Sequence, residues 1–172
     1  DPFDGNSLTI QAGSRMITKH RNNSTANVDL LRLDGGTLLH GVNGNIRNRM
    51  HGDLEVVSDS GVNVGGGGNR NILYTGDPGA TFSGGGKLTI QGPAGAANFG
   101  TYLYLVNVDA ASHTGDIEVI NTRLVIQNPD SANGNAIGDT SRVILSNGRL
   151  DVRNNETFGG LSGNAGSSLT RS

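Results

Sequence analysis

The chain has 172 residues, 28 of them glycine, about twice ordinary usage, with no cysteine, no tryptophan and only seven Phe or Tyr. That composition excludes a core built on large aromatics, disulfides and thiolate metal sites. Fifteen acids and thirteen bases are scattered to a formal charge of −2 with no basic stripe, which argues against nucleic-acid binding. No apolar run approaches the length of a membrane-spanning helix, so nothing here spans a membrane in that way. Glycine and asparagine accept left-handed backbone, so a chain this rich in them turns often. Strands are predicted at Leu8-Thr9-Ile10, Val28 to Leu33, Thr37-Leu38-Leu39, Leu54 to Val57 and Ile72-Leu73-Tyr74. Further strands are predicted at Leu88-Thr89-Ile90, Tyr102 to Val108, Ile117 to Ile120, Leu124-Val125-Ile126, Val143-Ile144-Leu145 and Leu150-Asp151-Val152. Punctuators separate them: Gly35-Gly36, Asn43-Gly44, Gly65 to Gly68, Gly84 to Gly86, Asn133-Gly134 and Asn147-Gly148. No segment carries the apolar spacing of an amphipathic helix, and the recurring Leu/Ile/Val triplets argue against disorder.

A sandwich or antiparallel barrel would show longer alternating strands joined as hairpins. A solenoid shows short strands recurring at a period of roughly 20 to roughly 30 residues. Leu88 to Ile117 is 29 positions, while Ile117 to Val143 and Leu124 to Leu150 are both 26. Two strands of one coil therefore map together onto two strands of the next. The expected fold is all-β, a right-handed parallel β-helix of roughly six or seven rungs, with residues 1–172 forming one domain. Inward Leu, Ile and Val would stack about 4.8 Å apart along the rod, and inward-turned asparagines would form ladders beside them.

From His113 to Leu169 the sequence resembles the autotransporter-associated β-strand repeat of bacterial surface proteins. The matching stretches are His113 to Val119, Arg123 to Ile126, Ala136-Ile137-Gly138, Val143 to Val152 and Phe158 to Gly166. Residues 83–90 and 5–13 are similar to shorter parts of the same unit. The chain departs from the pattern at Asp116, Arg123 and Arg149, where the family carries small or hydroxyl residues. The resemblance implies a passenger-type rod outside the cell or on the bacterial surface, without the C-terminal barrel of a complete autotransporter. The opening residues Asp1-Pro2-Phe3-Asp4 are not a signal peptide, so the chain reads as a mature form or an excised segment.

Because β-helices can carry polysaccharide-degrading sites, the carboxylates matter. Glycoside hydrolysis needs two acids about 5 to 9.5 Å apart across one cleft. Asp53 with Glu55, and Asp116 with Glu118, have the i, i+2 spacing that places both acids on one side of a strand. The competing reading, which is favoured, is an outward polar row alternating with inward Leu54/Val56 and Ile117/Val119, with no aromatic platform beside either pair. His20, His40, His51 and His113 are dispersed without metal-ligand spacing and read as solvated loop residues, His40 being the one borne on a strand. No GxSxG elbow is present. The run Gly65-Gly66-Gly67-Gly68-Asn69-Arg70-Asn71 lacks the Lys-Ser/Thr of a phosphate loop and the Asp of a calcium nonapeptide, so it reads as a turn.

No catalytic, cofactor-binding or metal-binding residue is therefore assigned, and no cofactor is expected. The function expected is a non-enzymatic structural or adhesive rod that stacks head to tail, with surface glycans or receptors as its other partners. The alternative is a polysaccharide-binding or polysaccharide-degrading β-helix domain.

Overall fold

The clusters of β-branched and Leu residues form strands, and the glycine and asparagine punctuators form corners, in a parallel β-solenoid. The computed structural model describes residues 5–18, 25–40, 47–64, 71–93, 100–127, 136–153 and 155–171. Among them there are fifteen strands and no helix. In chain order they are β1 (Ser7–Gln11), β2 (Arg15–Thr18), β3 (Thr25–Asp34), β4 (Thr37–His40), β5 (Arg47–Ser58), β6 (Ser60–Asn63), β7 (Asn71–Ser83) and β8 (Leu88–Gln91). They continue as β9 (Tyr102–Ala111), β10 (Ile117–Ile120), β11 (Arg123–Gln127), β12 (Arg142–Ser146), β13 (Arg149–Val152), β14 (Gly160–Gly163) and β15 (Ser168–Arg171). Odd-numbered strands stack in order as an eight-stranded sheet and even-numbered strands as a seven-stranded one. That is close to the expected six or seven rungs. At about 4.8 Å per strand spacing, the eight-stranded stack is about 34 Å long. The Asn43-Gly44 and Asn133-Gly134 punctuators lie outside the described residues.

The sequence offsets are the observed register. Leu88 pairs with Ile117, Ile117 with Val143, and Leu124 with Leu150. Coil length varies more than the sequence implied. Asn71 pairs with Tyr102, 31 positions on, whereas Val143 pairs with Leu161, only 18 on.

The eight-stranded sheet has two parts. Its long strands β3, β5 and β7 shift register between Asn27 and Leu30, His51 and Leu54, and Thr75 and Ala80. β1 pairs only with the second half of β3, whereas β11 pairs only with the first half of β9. The first halves, continued by β11, β13 and β15, form one face of the rod, and β1 with the second halves forms another. The even-numbered strands form the third face. Glycine allows the bend between the first two: Gly52 has φ +120°, and a Cβ there would overlap the Val28 carbonyl oxygen of the rung below. Gly138 is needed for closeness rather than φ, because its Cβ would overlap the His113 carbonyl oxygen.

Inside, equivalent residues stack in rows. One runs Met16, Leu38, Val62, Ile90, Val119, Leu145, and another Leu103, Leu124, Leu150, Leu169. Leu88, Ile90, Leu105, Ile117 and Leu124 are fully buried, each such burial stabilising the fold by about 1.5–3 kcal/mol. Buried polar side chains are hydrogen-bonded between rungs: Asn48 Nδ2 donates to Thr18 Oγ1 (2.6 Å), and Thr122 Oγ1 to the Thr101 carbonyl (2.6 Å). The expected asparagine ladder stands at a half-buried corner rather than in the interior. There Asn147 Nδ2 donates to Asn121 Oδ1 at 3.0 Å, and both residues have φ +53°. The reason is the backbone: asparagine tolerates the left-handed corner that other side chains avoid.

Candidate functional site

Both carboxylate pairs lie on outward rows, and each acid is engaged with the adjoining rung. Thr81 N–H donates to Asp53 Oδ1 (2.7 Å), and Arg32 Nε lies 3.4 Å from Glu55. Arg142 lies 2.6 Å from Asp116, and Lys87 3.2 Å from Glu118. Each pair alternates with buried Leu54/Val56 or Ile117/Val119. Asp116 is thus one half of an exposed cross-rung ion pair.

The histidines correct the expectation of solvated loops. His20 lies outside the described residues, as do Gly65 to Arg70, and His51 is half-buried on β5. His40 and His113 are buried. The His113 ring stacks on Phe82 at 4.4 Å between centroids. Its Nε2 lies 2.9 Å from the Gly86 carbonyl, so Nε2 carries the proton and donates. Its Nδ1 lies 3.1 Å from Ser141 Oγ. Burial holds this imidazole below its ordinary pKa, against the opposing effect of the Gly86 hydrogen bond. The polar neighbours Ser112, Thr114 and Gly115 gave no sign of this burial, since they make up the corner around an inward ring.

Glu156 is a second group missed in the sequence. Its carboxylate accepts the Ile137 N–H (2.8 Å) and the Ala136 N–H (3.0 Å), closing the corner that precedes β12. Burial pushes its pKa up to about 7; the two N–H donors work against this and the nearby Asp139 adds to it. A folded-state value above the unfolded one means that the group favours folding below pH 4.5 and loses that contribution as pH rises through 7. Raising the pH from 5 to 8 should therefore cost the wild type on the order of 1–2 kcal/mol relative to Glu156→Gln, after allowance for solvent screening. Urea midpoints of the two proteins across that range measure the difference, and parallel pH profiles would contradict the assignment. His113 acts in the opposite sense, because its lowered pKa removes stability as pH falls below 6.5.

The most developed side-chain cluster lies on the outer rows of the first face. Register places Tyr102, Arg123, Arg149 and Ser168 in one row. The next row holds Tyr104, Val125, Asp151 and Thr170. Arg123 lies over the Tyr102 ring at 4.3 Å, and Arg153 over the Tyr104 ring at 5.2 Å. Arg153 also donates to the Tyr104 hydroxyl and, at 2.9 Å, to Gln127. The Tyr104 hydroxyl donates to the same Gln127 oxygen. Burial raises the Tyr104 pKa, Arg153 opposing, so the phenol stays neutral. Asp151, 6% exposed, receives Arg123 (3.1 Å) and Arg149 together. Arg123 and Arg149 are thus parts of one network.

The third face carries a shallow groove of about 380 Å³ where Gly61 interrupts a row of threonines, Thr37 before it and Thr89 after. Asp59, Lys87 and Gln91 rim it. Among the described residues no three His, Asp or Glu side chains converge as metal ligands. No family model matches the chain, and neither a curated protein nor a solved structure is found to be similar to it.

Proposed function

We propose that the chain is a non-enzymatic structural and adhesive β-solenoid, a passenger-like rod of exported bacterial surface proteins that stacks end to end. The observation that carries this reading is the continuity of the inner rows. The Leu103–Leu124–Leu150 row ends in Leu169, 54% exposed, and the Leu88–Ile117–Val143 row ends in Leu161, 41% exposed. Their upper sides match the surface that every rung offers the next, so further coils fit there, whether of the same chain or of another copy. The engagement of Asp53, Glu55, Asp116 and Glu118 with neighbouring rungs agrees with a scaffold role for those acids.

Negative-stain electron microscopy of the purified chain across a concentration series tests the stacking, with rods that lengthen as concentration rises as the expected result. Strictly monomeric particles at high concentration would overturn head-to-tail assembly. Release of reducing ends from a polysaccharide panel would overturn the non-enzymatic reading, and Asp116→Asn/Glu118→Gln would then show whether the best-spaced pair is responsible.

A further inference from the structure

We infer that the groove around Gly61 on the third face binds one unit of a neutral polysaccharide, the rest of which continues over the surface on either side. The inference rests on the adhesive reading above and names its site and ligand. Gly61 lies inside β6, where glycine weakens a strand because it has no side chain to pack. Other glycines of the coils have a backbone reason: Gly84 has φ +105°, and a Cβ on Gly86 would overlap the Ser58 carbonyl. Gly61 has neither. Its φ is outside the left-handed region, and a Cβ there would first meet Thr37 Oγ1 at 3.4 Å, an ordinary contact. What the missing side chain leaves is the groove of about 380 Å³. Thr37 stands one rung before it and Thr89 one rung after, about 10 Å apart along the axis. A glycine inside a strand without a backbone role marks a place where a ligand approaches closely.

The lining suits hydroxyl groups rather than charges. The side chains of Thr37, Thr89 and Gln91 line the groove and make no hydrogen bond among the described residues. A sugar hydroxyl donates and accepts at once, and so do two threonine hydroxyls and an amide. The charged groups of the rim are held by one another. Asp59 Oδ1 accepts the Lys87 N–H at 2.9 Å, and Lys87 Nζ lies 3.2 Å from Glu118 Oε2. Glu118 follows Thr89 in the same row, so two carboxylates stand beside one ammonium and disfavour an acidic sugar. No aromatic ring lines the groove, so a nucleobase finds no stacking platform. The volume is at the low end for small-molecule sites, enough for one sugar ring rather than several.

Calorimetric titration of the purified chain with cellohexaose, xylohexaose and mannohexaose tests this, with polygalacturonate as the acidic polymer. At least one of the neutral oligosaccharides should bind. Gly61→Thr completes the row of threonines and fills the groove, so it should weaken that binding about tenfold or more while the melting temperature holds or rises. Gln91→Ala, on an exposed side chain, should weaken it about threefold, within the usual worth of one hydrogen bond. This second variant carries the comparison if Gly61→Thr does not fold. Arg142→Gln, two rungs further along the same face, should leave binding unchanged. The inference is overturned if none of the three oligosaccharides binds, if folded Gly61→Thr or Gln91→Ala binds as tightly as the wild type, or if polygalacturonate binds more tightly than all three. Rods that lengthen with concentration while no oligosaccharide binds would remove the ligand and leave the rod. Binding that is lost in Gly61→Thr, by a chain that stays monomeric, would remove the stacking and leave the groove.

Discussion

Asp151→Asn should lower unfolding stability by about 3–5 kcal/mol, the range for removing one partner from a buried ion pair. Asparagine keeps the shape of the side chain and one acceptor, so the loss reports charge. Asp151 is 6% exposed and receives two guanidiniums, from Arg123 and Arg149. Those arginines occupy adjoining rungs of one row, about 4.8 Å apart along the axis. Without the carboxylate they face each other as like charges, and the Arg123 side chain is only 18% exposed, so water screens it poorly. Arg123 Nε finds no acceptor among the described residues, which leaves Asp151 as the main partner of that guanidinium. Asp116→Asn is the comparison, because it breaks an exposed pair of the same type, with Arg142. Its expected cost is about 0–1 kcal/mol by the usual worth of surface ion pairs. Urea denaturation of the two variants reads the contrast directly, and equal midpoints would show that Asp151 is no more than another surface acid.

Phe82→Ala should cost a similar amount, about 3–5 kcal/mol, for a different reason. Phe82 is the largest fully buried side chain and stands where β5, β7 and β9 stack: Leu54 precedes it in its row, and Ala111 follows. Alanine would leave a cavity that neighbours cannot close, since the adjoining rungs are fixed by their own ladders. The same cavity would strip the His113 ring of its stacking partner and admit water to it. The His113 pKa should then move back towards its ordinary value, which an NMR titration of the imidazole would follow alongside the denaturation curve. Phe82→Leu, keeping most of the volume, should cost about 1–1.5 kcal/mol. A loss below about 1 kcal/mol for Phe82→Ala would mean that this row is not close-packed.

These sites also show what could be read in advance. The strands were legible because Leu, Ile and Val clusters are bounded by glycine or asparagine, and the coil was legible wherever its length held constant from one strand pair to the next. The offset that aligns Leu124 with Leu150 also aligns Arg123 with Arg149, so half of the arginine network lay within reach of the same arithmetic. Tyr102 did not, because it joins that row through unequal steps, a long one from Asn71 and a much shorter one to Arg123, and no fixed period connects the three. A search for clustered charge along the sequence misses such neighbours for the same reason: Arg123 and Arg149 meet only across coils. His113 and Glu156 were illegible on other grounds. Whether a polar residue at a corner turns inwards depends on which backbone N–H and C=O groups it meets from other rungs, here those of Gly86, Ala136 and Ile137.

The direction of the ladders has a mechanical consequence. Inter-strand hydrogen bonds run along the rod, so tension applied between its ends loads them in the direction of their own length, one rung after another. Such a rod yields as a zipper does. Each coil that peels away, such as that between Leu124 and Leu150, shortens the folded part by about 5 Å and frees roughly 90 Å of extended chain. The coils beyond keep their neighbours and stay folded. A tether built this way lengthens under load by many times what it gives up, and it holds until the last rungs are drawn out.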